Sequence, residues 1–163
     1  MINIKIICVG KLKEKYLKEA CNEYLKRLSK YCKIEIIEVE DEKFNDSSLS
    51  ILDIENVKKK ECEKIKNRLE KLGKCSVISL DLKGKDIDSV EFSKIIQNNT
   101  TYISSTLVFI IGGSLGLTDD ILKQSNNIVC FSKLTFPHQL IRIFLLEQIF
   151  RSFKILNNEI YHH

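Results

Sequence analysis

The segment TLVFIIGG (106–113) is apolar on both of its faces before it closes on two glycines. Successive side chains of a strand point to opposite sides of the sheet, so a strand with one wet face alternates apolar with polar. A strand with no polar face must be covered from both sides. That requirement selects a mostly parallel sheet sandwiched between helices.

The rest of the 163-residue chain supplies the parts. INIKIICV (2–9), KIEIIEVE (33–40), CSVISLDL (75–82, closed by Gly84) and NIVCFS (127–132) read as four further strands. Between the first two, Tyr16, Leu17, Ala20, Cys21, Tyr24, Leu25 and Leu28 recur at helical spacing on a charged background. DEKFNDSSLS (41–50) is polar and turn-rich and reads as a surface loop, followed by a Lys- and Glu-rich helix over about 52–72. Asp88 with Glu91 forms a capping box that opens a third helix. Thr118 with Asp119 and Asp120 suits the start of a fourth, and Pro137 the first turn of a fifth running to about Leu156. No repeat or linker divides the chain, so the expectation is one α/β domain over 1–163 with helices on both faces.

The last helix has no broad polar face, because Leu140, Ile141, Ile143, Phe144, Leu145, Leu146, Ile149, Phe150 and Phe153 surround it. Such a helix must be buried nearly all round. One face can cover the sheet, and a homodimer is the simplest source of cover for the other.

Charge permits an RNA partner without demanding one. The 26 basic and 22 acidic residues leave a formal +4, and no dedicated basic stripe stands out. The six cysteines form no CxxC pair, which excludes a zinc knuckle or a redox motif and fits reduced core thiols. No HExxH, Ser/His/Asp order or metal-ligand cluster is present, so any cofactor is expected to be organic. The opening MINIKIICVG lacks a basic leader, and the apolar run near 140–146 is too short to span a bilayer. A soluble cytoplasmic protein with no membrane contact is expected.

Three segments hold the residues suited to chemistry. IIGGSLGLTDD (110–120) ends a buried strand in glycines, where a ligand can approach backbone. Its GGxxG spacing matches neither a dinucleotide fingerprint nor a P-loop. FSKLTFPHQLIR (131–142) crowds aromatics, hydroxyls, a lysine, a histidine and an arginine into the connection after the fifth strand. The tail EIYHH (159–163) is either a frayed end or a pair of recognition groups, Tyr161 and His162.

Taken together, VGKLKEKY (9–16), FIIGGSLGL (109–117), SKLTFPHQLIRIFLLEQIFRSFKI (132–155) and the terminal YH (161–162) resemble the small SPOUT methyltransferases. The resemblance is closest to the RlmH family, which methylates N3 of a pseudouridine in 23S ribosomal RNA. It spans nearly the whole chain; only 41–72 carries little of it. It implies a C-terminal trefoil knot, a feature no pattern argument proposes because knots are nearly absent from folds. It also implies a homodimer and S-adenosyl-L-methionine as cofactor.

The cofactor contacts implied by the resemblance fall on Leu80, Gly112, Phe131, Ser132, Lys133, Leu134, Thr135 and Phe136. These lie at three strand ends, where open α/β sheets collect ligands. Leu80 and Leu134 are expected to sandwich the adenine, and Gly112 to let adenosine pass close to backbone. His138, Arg142, Tyr161 and His162 are the expected catalytic group. Arg142 is assigned to a developing anion or a phosphate, and Tyr161 with His162 to orienting the base. Lys11, Lys13, Lys15 and Lys18 are expected to meet the RNA of the ribosome. Two alternatives stand beside this reading: a SPOUT enzyme acting on another RNA such as transfer RNA, and a non-catalytic RNA- or nucleotide-binding dimer.

Overall fold

The computed structural model describes all residues 1–163. The elements are β1 (Ile2–Val9), α1 (Lys15–Leu28), β2 (Cys32–Val39), α2 (Ile51–Leu72), β3 (Ser76–Asp86) and α3 (Ser89–Tyr102). They continue with β4 (Thr106–Ile111), α4 (Asp119–Gln124), β5 (Asn127–Cys130) and α5 (His138–Leu156). The strands form one sheet in the order β2-β1-β4-β3-β5, and every neighbouring pair is parallel. All five carboxyl ends therefore share one rim.

The alternation along each strand divides the core. Ile4, Ile6 and Cys8 of β1 join Leu107, Phe109 and Ile111 of β4 beneath α1, α3 and α5. Ile7, Val9, Val108 and Ile110 face the other way, against Cys62, Ile65 and Leu69 of α2 and Ile121 and Leu122 of α4. The sheet is covered on both faces, as the apolar β4 requires.

Local signals fix the helix starts. Asp88 and Glu91 make the expected reciprocal cap of α3. Ser50, the last residue of the stretch read above as surface loop, makes a second one on α2 with Asp53.

Two expectations change. First, β3 does not stop at Gly84. Leu80 and Lys85 both pair with Val129, and Asp86 pairs with Cys130, so residues 81–84 bulge out and the chain returns to β5. A Cβ on Gly84 would lie 2.6 Å from the Val129 carbonyl carbon, so only glycine allows this approach. Second, α5 needs no second chain to bury its core-facing side chains. It lies between α1 and α3 over the sheet, and Leu145, Leu146 and Ile149 are fully buried within the single chain. Flanking helices supply most of the cover that a partner was expected to give. What stays exposed is Phe144 near its start, together with Leu134 and Phe136 in the connection that precedes it.

Candidate active site

The loops leaving β3, β4 and β5 enclose a cavity of about 650 Å³ on the carboxyl rim of the sheet. Leu80, Gly112, Phe131, Ser132, Leu134, Thr135 and Phe136 all line it. Lys133, the eighth expected contact, does not; it is exposed and its Nζ lies 3.6 Å from Asp86. Pro137, His138 and Ile141 carry the wall into the first turn of α5.

The glycines of the β4 loop serve the loop itself. A Cβ at Gly112 would meet the Gly116 carbonyl carbon and the Leu117 side chain at 3.0 Å. Packing within the turn, and not a ligand alone, therefore demands glycine there. Gly116 has φ +88°, the left-handed region, and its N–H donates to the Gly113 carbonyl at 3.1 Å. The turn is tight and preformed.

His138 is half-buried at the wall. Burial lowers its pKa below the usual 6.5, and the nearby positive charge of Arg142 lowers it further, opposed by Asp41. It is thus held neutral near pH 7, with a ring nitrogen free to accept a proton. Gly10, at φ +88°, makes room for it: a Cβ there would stand 3.1 Å from His138 Nε2.

Arg142 does not face the cavity. It is 2% exposed, its Nη1 donates to Glu38 Oε2 at 2.9 Å and its Nη2 to the Gly10 carbonyl at 3.1 Å. Its Nε has no partner. The guanidinium fastens α5 to the ends of β1 and β2, directly below His138.

The tail folds back on α5 of its own chain. Tyr161 stands edge-on to Phe150 with ring centroids 5.1 Å apart, and its hydroxyl donates to Glu147 Oε1 at 3.2 Å. The Arg151 guanidinium lies 4.7 Å over the Tyr161 ring, and its Nη1 is 3.2 Å from His162 Nδ1. Arg151 is itself paired with Glu147 at 2.7 Å. His162 lines a groove of about 860 Å³ that shares Phe131, Ser132, Phe136 and Ile141 with the cavity. The four expected catalytic residues are thus split: His138 on the cavity, Arg142 beneath it, Tyr161 and His162 beside the next groove.

Residues 2–162 match the family model described as "Predicted SPOUT methyltransferase". The chain belongs to the SPOUT methyltransferases. Proteins named Ribosomal RNA large subunit methyltransferase H from Clostridium botulinum (strain Alaska E43 / Type E3) and Clostridium acetobutylicum are 56% and 51% identical to it. Each match covers 99% of both chains, which places this SPOUT chain in that group. Among solved structures, a probable methylase family protein from Haemophilus influenzae Rd KW20 aligns with TM-score 0.58 at 13% identity, over 98% of this chain and 70% of that one. A probable methyltransferase from Bordetella pertussis Tohama I aligns with TM-score 0.55 at 11% identity, over 91% and 95%. These two likenesses speak to the fold.

Several polar residues that the sequence did not single out stand around the candidate site. Glu147 and Arg151 sit four apart in the EQIFR motif, a spacing that signals a helical ion pair, but their grip on the tail appears only in three dimensions. Glu61 of α2 is 3% exposed; its Oε2 accepts the Glu42 N–H at 3.1 Å and its Oε1 has no partner. Burial pushes its carboxyl above the ordinary range. Lys58, one turn earlier, reaches the cavity wall. Both lie in the stretch that carries little family resemblance. No group of three or more His, Cys, Asp or Glu residues is placed to hold a metal.

Proposed function

We propose that this SPOUT chain transfers a methyl group from S-adenosylmethionine to N3 of a pseudouridine in 23S ribosomal RNA of the large subunit. One observation carries the reading. Seven of the eight contacts that the resemblance implies, from three strand ends, line a single cavity with His138 in its wall, in a chain more than half identical to full-length relatives named for large-subunit rRNA methylation.

The cavity fits the cofactor. Its volume lies in the range of small-ligand pockets, about 300–1,000 Å³. Its wall combines apolar side chains (Leu80, Leu134, Phe136) with a few polar groups, which suits an adenosine that must be both packed and oriented. When bound, S-adenosylmethionine supplies an electrophilic methyl on a sulfonium.

The chain's own residues prepare the nucleophile. N3 of the base bears a proton and attacks only as that proton leaves. Neutral His138 is placed to take it on a ring nitrogen, and Arg142, by fastening Gly10 and Glu38, keeps the imidazole in position. Holding base and methyl donor together removes much of the entropic barrier. His162 lines the groove that shares its wall with the cavity, and Tyr161, held by Phe150, Glu147 and Arg151, stands behind it, so the tail is the proposed element that orients the base.

The trefoil knot, the homodimer and the cytoplasmic setting belong to the same proposal. The exposed Phe136 and Phe144 beside the 860 Å³ groove support a second copy covering it.

The test is transfer of labelled methyl from S-adenosylmethionine to 70S ribosomes, isolated large subunits and bulk transfer RNA. Label in large-subunit RNA is expected. Label confined to transfer RNA, or none despite cofactor binding, contradicts the reading.

A further inference from the structure

α2 runs alongside the β4 loop with one face turned to it. Three contacts define that face. Glu61 presses its carboxylate against Gly113, where an added Cβ would stand 2.8 Å from Oε1. Cys62 Sγ accepts the Thr118 N–H at 3.3 Å, closing the far end of the loop. Val9 of β1 crowds the same spot, 3.2 Å from that Cβ position. Side chains three and four residues apart share a helix face. Lys58 therefore lies on the same face as Glu61 and Cys62, one turn toward the helix start, and it lines the cavity beside the loop.

The other charged groups of that wall already have protein partners. Lys83 Nζ is 3.3 Å from Asp119, and Asp81 Oδ1 accepts the Lys83 N–H at 2.9 Å. Lys58 is half-buried and has no carboxylate within ion-pair distance. It is the cation of the wall without a counter-charge. Ordering a long side chain at a partly dry surface without a partner is unfavourable, whereas an anionic ligand group would complete it.

We propose that Lys58 binds the carboxylate at the amino-acid end of the cofactor, with the Glu61–Gly113 and Cys62–Thr118 contacts fixing α2 against the loop so that the ammonium is correctly placed. This rests on S-adenosylmethionine being the ligand of the cavity. The carboxylate is the one anionic group of that molecule, and Lys58 gives the site a means of preferring the intact amino acid over fragments that retain only the adenosine.

A cycle of protein and ligand changes tests it. Calorimetric affinities are measured for S-adenosylmethionine and for decarboxylated S-adenosylmethionine, which lacks only the carboxylate, on the wild-type protein and on Lys58→Ala. The wild type should prefer the carboxylated form about tenfold, the size of one charge-assisted contact, and Lys58→Ala should erase that preference while binding the decarboxylated form as the wild type does. Lys58→Arg should restore part of it. A preference that survives in Lys58→Ala overturns the assignment. Equal loss of both ligands also overturns it, because Lys58 would then merely shape the cavity. Thermal unfolding of each variant shows whether the fold is intact. A wild type that binds neither molecule sinks the cofactor itself, a different outcome from either of these.

Discussion

His138 links burial to chemistry most directly. Its pKa is lowered first by desolvation and then by Arg142. A group whose folded pKa is depressed binds fewer protons than its unfolded counterpart as pH falls. Its neutral form thus leaves stability untouched above the ordinary value near 6.5, and stability is lost as pH drops below it. For activity the sign is the same. Methylation should rise with pH through a midpoint below 6.5 and stay level above it, and His138→Asn should remove that acidic limb while lowering the rate about 10²–10⁴-fold. A pH–rate profile on both proteins checks this. An unchanged limb in the variant assigns the base elsewhere. Arg142 shows why residue roles are hard to read from a sequence. An arginine in a loop-rich motif looks like an anion receptor, and only the long-range meeting of α5 with Glu38 and Gly10 shows that its charge is already used.

At the level of secondary structure, α5 is the element whose burial carries the most weight. Leu146 is fully enclosed between the sheet, α1 and α3. Leu146→Ala should cost about 2–5 kcal/mol of stability, the usual penalty for a large-to-small change in a packed core. Denaturant unfolding measures it, and a loss under about 1 kcal/mol would mean that the helix is looser than its packing indicates. The sequence made this helix legible as buried all round but not what buries it. Periodicity is a local property, and the choice between a neighbouring helix and another subunit is not. The same distinction separates α3 from β3. The α3 start was readable because Asp88 and Glu91 are three residues apart. The second half of β3 was not, because Lys85 and Asp86 are strand only through pairing with Val129 and Cys130, more than forty positions away. The cavity followed the same rule: the loop after β5 stood out by composition, the contacts at Leu80 and Gly112 came from the resemblance, and Lys58 and Glu61 sit in a charged helix whose facing loop only the fold shows.

For the molecule as a whole, the parallel sheet sets the layout, placing the loops that leave β3, β4 and β5 on one rim and leaving an apolar border where the β5 connection meets α5. No helix is long and apolar enough to cross a membrane. Leu134, Phe136 and Phe144 remain exposed along that border, and a second copy is the proposed cover. Light scattering should give the mass of a dimer, and Phe144→Asp should shift it toward the monomer without loss of helical signal, since the side chain lies outside the core. A wild type that is monomeric at all concentrations would remove the dimer. The identity of the methylated product decides the proposed function. Ribosomes from cells lacking the gene are incubated with the purified protein and S-adenosylmethionine, and the nucleosides of their large-subunit RNA are mapped by mass. The expected result is one new methyl group, on N3 of a pseudouridine. A methyl on any other nucleoside or atom, or none where the enzyme binds its cofactor, would contradict it.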